Sequence, residues 1–409
     1  MSTIVPATIP LLDLKGEVEE LYEQLHEATD RVLRSGAFIG GAEVEAFEAE
    51  AADFLGVRHA IGLNSGTDAL VIALEALDVG PGDEVITSAF SFFATSEAVL
   101  RLGATPVFCD VDPVTLNLDS GLLEDLVTER TKALLPVHLF GLPAAMAEVL
   151  DVAARHGLAV VEDCAQAFGA RSSDLDGRRV GGLGTLGAFS FYPTKNLGAY
   201  GDAGMLTTND DELARAARSL RNHGSSPNDK YLHERLGHNS RLDALQAAIL
   251  RVKLPMVERW NLARRAVAAE YRDAFTRAGI MGDNAVAALD RAATVEVPPV
   301  GSDGVQAPPN RPEGLKTPPN HPDHVYHQFT VTVAPRDRRR YEESLAAAGI
   351  GFSRFYPTAL TSQPAGFRFG SAPVAEAAAA SVLSLPMRPN LTAVDVETVT
   401  ATLRQVASG

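Results

Sequence analysis

The feature that most constrains this chain is an alternation of short apolar runs with helical patterns through roughly the first 250 residues. Five runs, His59–Leu63, Glu84–Thr87, Pro106–Asp110, Ala133–His138 and Leu158–Asp163, predict β-strands. Helices over Asp68–Leu77 and Met146–His156 are expected between them. Strands spaced by helices build a mostly parallel sheet covered on both faces, which predicts an α/β class. Two later runs, Ala188–Tyr192 and Met205–Thr208, flank a glycine-rich turn and predict a hairpin.

From Arg241 the pattern is helical for a long way, with a break or kink expected at Pro255. A chain of 409 residues exceeds one average core. A large domain over residues 1–255 and a smaller C-terminal α/β domain over 256–409 are therefore expected. Prolines and glycines dominate between Pro298 and His324, where "PPNRP" is answered by "PPNHP". This stretch predicts an inserted, solvated loop. Beyond it lie "YHQFTVTV", a helix near Asp337–Ala348 with Asp337 as its expected N-cap, "GIGFSRFYP", "SVLSLPMRPNL" and a final helix.

A net charge of −16 argues against non-specific nucleic-acid binding, which needs a basic face, and against anionic membranes. The N-terminus has no basic leader, and no apolar run reaches membrane-spanning length, so a cytoplasmic protein is expected. The two cysteines, Cys109 and Cys164, sit by apolar runs; neither a disulfide framework nor a metal site is expected from them.

Ligands of parallel sheets gather outside the carboxyl ends of the strands. Four segments fall there. Leu63-Asn64-Ser65-Gly66-Thr67-Asp68 passes from a strand into a helix, where backbone N–H groups and the helix dipole favour an anion; Ser65 or Thr67 equally suits a plain N-cap. Val160-Val161-Glu162-Asp163-Cys164-Ala165-Gln166 ends a buried strand on a carboxylate. Asp163 either caps the next helix or pairs with a cationic ring nitrogen. Phe189 through Gly198 carries Lys195 after an apolar strand and before glycines, where burial would lower the amine's pKa and free it for imine chemistry. Ser190 is expected on the opposite face from Phe189 and Phe191. In Phe90-Ser91-Phe92-Phe93-Ala94-Thr95 the rings suit the core, or one of them lies on a planar heterocycle. Gly182-Leu183-Gly184-Thr185-Leu186-Gly187 fits the dinucleotide fingerprint G-x-G-x-x-G. A strand rather than a helix comes after it, so a dinucleotide-binding oxidoreductase is not expected.

Taken in order, "NSGTDAL", "GPGDEVIT", "FFAT", "LFGLPA", "VVEDCAQAFGA", "FSFYPTKNLGAYGDAG", "NSRLDALQAAIL" and "SLPM" resemble the DegT/DnrJ/StrS family of pyridoxal-phosphate (PLP) sugar aminotransferases over nearly the whole chain. The resemblance implies the fold-type I aminotransferase fold, PLP as cofactor and a homodimer with shared active sites. It implies that Lys195 is the Schiff-base lysine and proton shuttle, that Asp163 partners the pyridinium, and that Gln166 lies near the ring's 3′ oxygen. Gly66, Thr67 and Ser190 match phosphate-holding positions, Phe92 the stacking aromatic, and Asn239 an asparagine that reaches the phosphate from the neighbouring subunit.

The implied reaction moves an amino group from an amino acid, by analogy glutamate, to a nucleotide-linked ketosugar in amino-sugar, polysaccharide or glycoside biosynthesis. "GDAG" and "NSRLD" resemble the members that aminate C3, and Tyr231, His233 and Tyr356 are candidates for sugar contacts. The alternatives are amination at C4, a PLP-binding regulator, and a lyase or dehydratase. The chain departs from its relatives at Phe355-Tyr356-Pro357, where many carry histidine first.

Overall fold

A computed structural model describes residues 8–226, 228–229, 231–281, 314–365 and 370–408. Helix α1 (Leu14–Ser35) starts where the Asp13 carboxylate accepts the Gly16 N–H at 2.9 Å, and it stops at Gly36, whose φ of 67° suits glycine. Helix α2 (Ala42–Leu55) leads into strand β1 (His59–Leu63), followed by α3 (Gly66–Ala76), β2 (Glu84–Ser88), α4 (Ala94–Arg101) and β3 (Thr105–Cys109). The single turn α5 (Leu123–Leu126) precedes β4 (Thr131–Leu135), α6 (Met146–His156) and β5 (Ala159–Asp163). A two-residue ladder, β6 (Arg171–Ser172) with β7 (Arg178–Arg179), comes before β8 (Leu186–Ser190), β9 (Gly204–Thr208) and α7 (Asp211–Leu220).

The main sheet has the order β1-β9-β8-β5-β4-β2-β3, parallel except for β9, which runs against both β1 and β8. The expected hairpin is therefore present, and each expected strand forms within a few residues of its predicted ends. Alternate residues enter opposite cores, as a pleated strand requires. Leu134, Val160, Phe189 and Met205 pack with Phe47, Phe191 and Leu250. Their neighbours Ala133, Val161, Ala188 and Leu206 pack with Leu70, Ile72 and Leu74 of α3 on the other face.

Helix α8 (Ala244–Lys253) is separated from α9 (Val257–Ala278) by a 3₁₀ turn over Leu254–Met256, the interruption expected at Pro255. Strands β10 (Phe329–Thr332) and β11 (Val382–Leu385) pair antiparallel. Around them stand α10 (Pro335–Ala347), α11 (Pro373–Ser381) and α12 (Ala393–Ser408). Their core centres on Tyr271 and Phe329, stacked at 4.8 Å, with Phe275, Tyr341 and Leu403. Ile9 from the N-terminal segment joins this core and bridges to Ile350.

Two expectations need correction. Helix α10 begins earlier than predicted, at Pro335 with Ala334 as N-cap; Asp337 lies inside the first turn, because proline's fixed φ already suits the first helical position. The proline-rich stretch is not wholly a solvated loop. Residues 298–313, with "PPNRP", lie outside the described residues, but Leu315 and Pro318 are buried and Lys316 bridges to Thr332. Arg272 donates to the Pro318 and Pro319 carbonyls at 3.2 and 3.0 Å. Among the described residues, no helix is long and apolar enough to cross a membrane.

Candidate active site

Because β1, β5 and β8 point the same way, their carboxyl ends meet along one edge of the sheet. Leu63, Asp163 and Ser190 are the last residues of these strands. A cavity of about 750 Å³ opens there, lined by Gly66, Thr67, Phe92, Asp163, Gln166, Ser190, Lys195 and Tyr356, all singled out in the sequence. Thr95, Tyr192, Asp202, His327 and Arg354 also line it and were not.

The α3 end is built for close approach. Ser65 is the N-cap and accepts the Asp68 N–H at 3.1 Å, so its hydroxyl caps the helix at the cavity wall. A Cβ on Gly66 would stand 2.6 Å from the Ser190 Cβ, so only glycine lets the helix terminus and the β8 end share this cradle. Free N–H groups at a helix start beside a serine hydroxyl suit a phosphate.

Asp163 is buried. Its Oδ2 accepts the Thr95 hydroxyl at 2.8 Å and its Oδ1 the Ala165 N–H at 3.1 Å. The Ser91 and Thr95 hydroxyls are 2.9 Å apart, which extends the chain of donors. Burial pushes the Asp163 carboxyl above its usual range, while these bonds and the charge of Lys195 pull the other way. A buried carboxylate with so few partners is completed by a cation. The open side of Asp163 thus fits a protonated ring nitrogen.

Lys195 lines the cavity, and burial of its amine lowers it to about 8 against the opposing pull of Asp163. Its loop is braced from below. Its own N–H bonds the Tyr192 carbonyl at 2.9 Å, and the buried Lys253, paired with Glu17 at 2.5 Å, donates to the Gly198 carbonyl. As expected, Ser190 faces the cavity while Phe189 and Phe191 enter the core.

Gln166 accepts the Phe140 N–H at 2.7 Å and donates to the Tyr356 hydroxyl at 2.8 Å. Burial raises the Tyr356 phenol, as does the Asp163 charge. Phe92 is 58% exposed although its neighbour Phe90 is fully buried, so Phe92 is the ring free to cover a planar group. Phe355 also lines the cavity.

Three candidates do not reach this cavity within the chain. Asn239 is exposed and bridges to Asn222; Tyr231 is 80% exposed; His233 is exposed and contacts the His223 carbonyl at 2.9 Å through Nδ1.

The fingerprint-like Gly182–Gly187 segment has an internal task. Gly181, Leu183 and Gly184 donate their N–H groups to the buried Glu162 carboxylate at 2.9, 2.8 and 2.7 Å. His138 sits 3.0 Å from the same carboxylate through Nε2, and its Nδ1 accepts the Ala144 N–H at 3.0 Å. The ligand atoms of His138, Glu162 and Cys164 lie within 4.8 Å of one another, and both imidazole nitrogens are engaged in hydrogen bonds.

A buried amine, a buried carboxylate and an anion cradle around one cavity, on this sheet, define a fold-type I PLP-dependent aminotransferase. The chain belongs to the DegT/DnrJ/EryC1/StrS aminotransferase family, which matches residues 19–298 and 309–404. It is 46% identical over 94% of its length to a pleiotropic regulatory protein of Geobacillus stearothermophilus, of which 94% is covered. It is 42% identical to the UDP-N-acetyl-3-dehydro-alpha-D-glucosamine 3-aminotransferase of Acidithiobacillus ferrooxidans, with 98% of each chain covered. The crystal structure of S. venezuelae DesV in complex with a ketimine intermediate is similar at a TM-score of 0.85 and 41% identity, covering 99% of this chain and 100% of that one.

Proposed function

We propose that the protein transfers an amino group from an amino acid, glutamate by resemblance, to C3 of a ketosugar carried on a nucleotide, in amino-sugar, polysaccharide or glycoside biosynthesis. The observation that carries this reading is the convergence of Lys195, Asp163 and the Gly66–Ser190 cradle on one cavity. The likeness to a 3-aminotransferase supports position 3.

PLP, when bound, supplies an electron sink for bonds at the amine-bearing carbon. In this reading Asp163 would keep a bound ring nitrogen protonated, Gln166 would serve the 3′ oxygen, and Phe92 would cover the ring. Gly66, Thr67 and Ser190 hold the phosphate. Lys195 anchors the cofactor and then takes and returns the proton, a task suited to an amine near pH 8. Tyr356, fixed by Gln166, faces the sugar.

A homodimer belongs to the same reading. Leu33, Phe38 and Ile39 are 56%, 45% and 54% exposed, and Leu232 and Leu236 are 54% and 91% exposed. Exposed apolar side chains of this kind support a protein–protein contact. Ile39 bridges to Asp243, a few residues along the chain from Asn239. Asn239 then serves the partner's phosphate site, and Tyr231 or His233 the partner's sugar. In this reading the large domain is built mainly from residues 1–255 and the small one mainly from 256–409, with Ile9 crossing into the small-domain core and Val257 and Val325 into the large-domain core, and the protein works in the cytoplasm.

The test is incubation of the cofactor-loaded protein with glutamate and a panel of nucleotide-linked 3-keto and 4-keto sugars. An amine at C3 is expected. Amination only at C4 would overturn the position. Cofactor binding with no amination of any sugar would favour a regulator, as the name of the Geobacillus relative suggests, or a lyase.

A further inference from the structure

Lys253, the last residue of α8, is fully buried, which is rare for an ammonium group. Its Nζ has three partners. It donates to the Gly198 carbonyl and pairs with the Glu17 carboxylate of α1 at 2.5 Å. It also lies 4.7 Å from the centre of the Tyr200 ring, within cation–π range. Tyr200 in turn donates its hydroxyl to the same Glu17 oxygen at 3.2 Å, and its N–H to the Gln246 side chain at 2.9 Å. Burial works against the Lys253 charge, and Glu17 supports it. A buried cation matched in this way holds its partners to one arrangement, because losing one leaves charge uncompensated.

Gly198 is the partner that leads to the cavity. A Cβ on it would stand 2.5 Å from the Pro193 carbonyl oxygen and 3.0 Å from that of Tyr192. The chain leaving the loop therefore crosses directly against the chain entering it. The Tyr192 carbonyl accepts the Lys195 N–H at 2.9 Å, and the Ala199 N–H closes the crossing on the Phe191 carbonyl at 2.8 Å. A continuous series of contacts thus runs from the Lys253 ammonium through Gly198 and Tyr192 to the backbone of Lys195. The Lys195 amine takes its shift from burial and from Asp163, so Lys253 bears on where Lys195 stands rather than on its charge.

We propose that Lys253 is a positioning residue: its hydrogen bond to the Gly198 carbonyl, backed by Glu17 and Tyr200, keeps the Lys195 backbone where the amine can bond to the cofactor. This rests on the role given to Lys195 in the proposed function. A merely structural ion pair would stabilise the fold without changing how fast Lys195 reacts.

The test compares Lys253→Met, which keeps an apolar stem and removes the ammonium, with the double variant Lys253→Met/Glu17→Gln. The double variant also removes the carboxylate left without its partner, and it serves alone if the single variant does not fold. Removing both charges of a buried pair is often tolerated, so it should regain most of the stability that the single variant loses. In both cofactor-free variants, amide hydrogen exchange at Lys195 and Ala199 should quicken about tenfold, the effect of one lost hydrogen bond to a charged group, while the amides of β5 stay as protected as in the parent. Covalent capture of PLP at Lys195 should slow by about the same factor. Affinity for pyridoxamine 5′-phosphate, which makes no bond to Lys195, should change by less than about twofold. Exchange as slow as in the parent, capture that recovers together with stability in the double variant, or an equal loss of capture and of pyridoxamine phosphate affinity would overturn the assignment. If the parent captures no PLP, the functional reading falls, while exchange at Lys195 still decides whether Lys253 holds the loop.

Discussion

Thr95 donates its hydroxyl to Oδ2 of Asp163 at 2.8 Å, joining α4 to the end of β5 across 68 residues of sequence. The bond favours the ionised carboxylate, which burial alone would neutralise. Thr95→Val keeps the shape and removes the donor. Hydrogen bonds to charged groups contribute about 1.5–3 kcal/mol, so cofactor affinity should fall roughly tenfold or more, and the cofactor-free protein should lose stability as well. Titration of the cofactor-free protein with PLP measures it. An unchanged affinity would show that the Asp163 charge does not need Thr95.

Lys195 should be the attachment point of the cofactor. The purified protein is expected to be yellow, and borohydride should fix the cofactor covalently to the Lys195 peptide. Lys195→Ala should bind cofactor without retaining it after reduction and denaturation. A retained adduct in that variant would place the attachment elsewhere.

Capture of PLP needs the neutral amine. Burial puts the folded-state value of Lys195 at about 8, below the ordinary lysine value of about 10.4. The charged form is thus disfavoured in the fold, and the neutral amine predominates above about pH 8. The capture rate of the cofactor-free protein should rise with pH, bend near pH 8 and level off. A rate that still climbs tenfold per unit at about pH 10 would mean an unshifted lysine.

Glu162 tests the fold rather than the chemistry. Its carboxylate accepts three backbone N–H groups and faces His138 without entering the cavity. Glu162→Gln sets an amide NH₂ against donors, and one buried unsatisfied group costs about 1–3 kcal/mol. Urea unfolding should show a loss of about that size, with the borohydride reaction at Lys195 retained. A variant as stable as the parent would mean that water or a backbone shift compensates.

Much of the architecture could be read from neighbours in sequence. The runs from His59 to Asp163 became strands of one mostly parallel sheet because side-chain alternation is a local property of the backbone. Gly66, Asp163, Ser190 and Lys195 could be named because they stand at or just beyond strand ends, where such sheets bind ligands. What no local pattern encodes is which remote groups meet. His327 and Asn196 are 131 residues apart, yet their side chains meet at 3.1 Å. The letters of Gly182–Gly187 fit a dinucleotide loop, yet the folded chain spends that loop's N–H groups on Glu162. Hydrogen bonds of this kind depend on how separate loops pack, and packing is decided only when the whole chain has closed on its core.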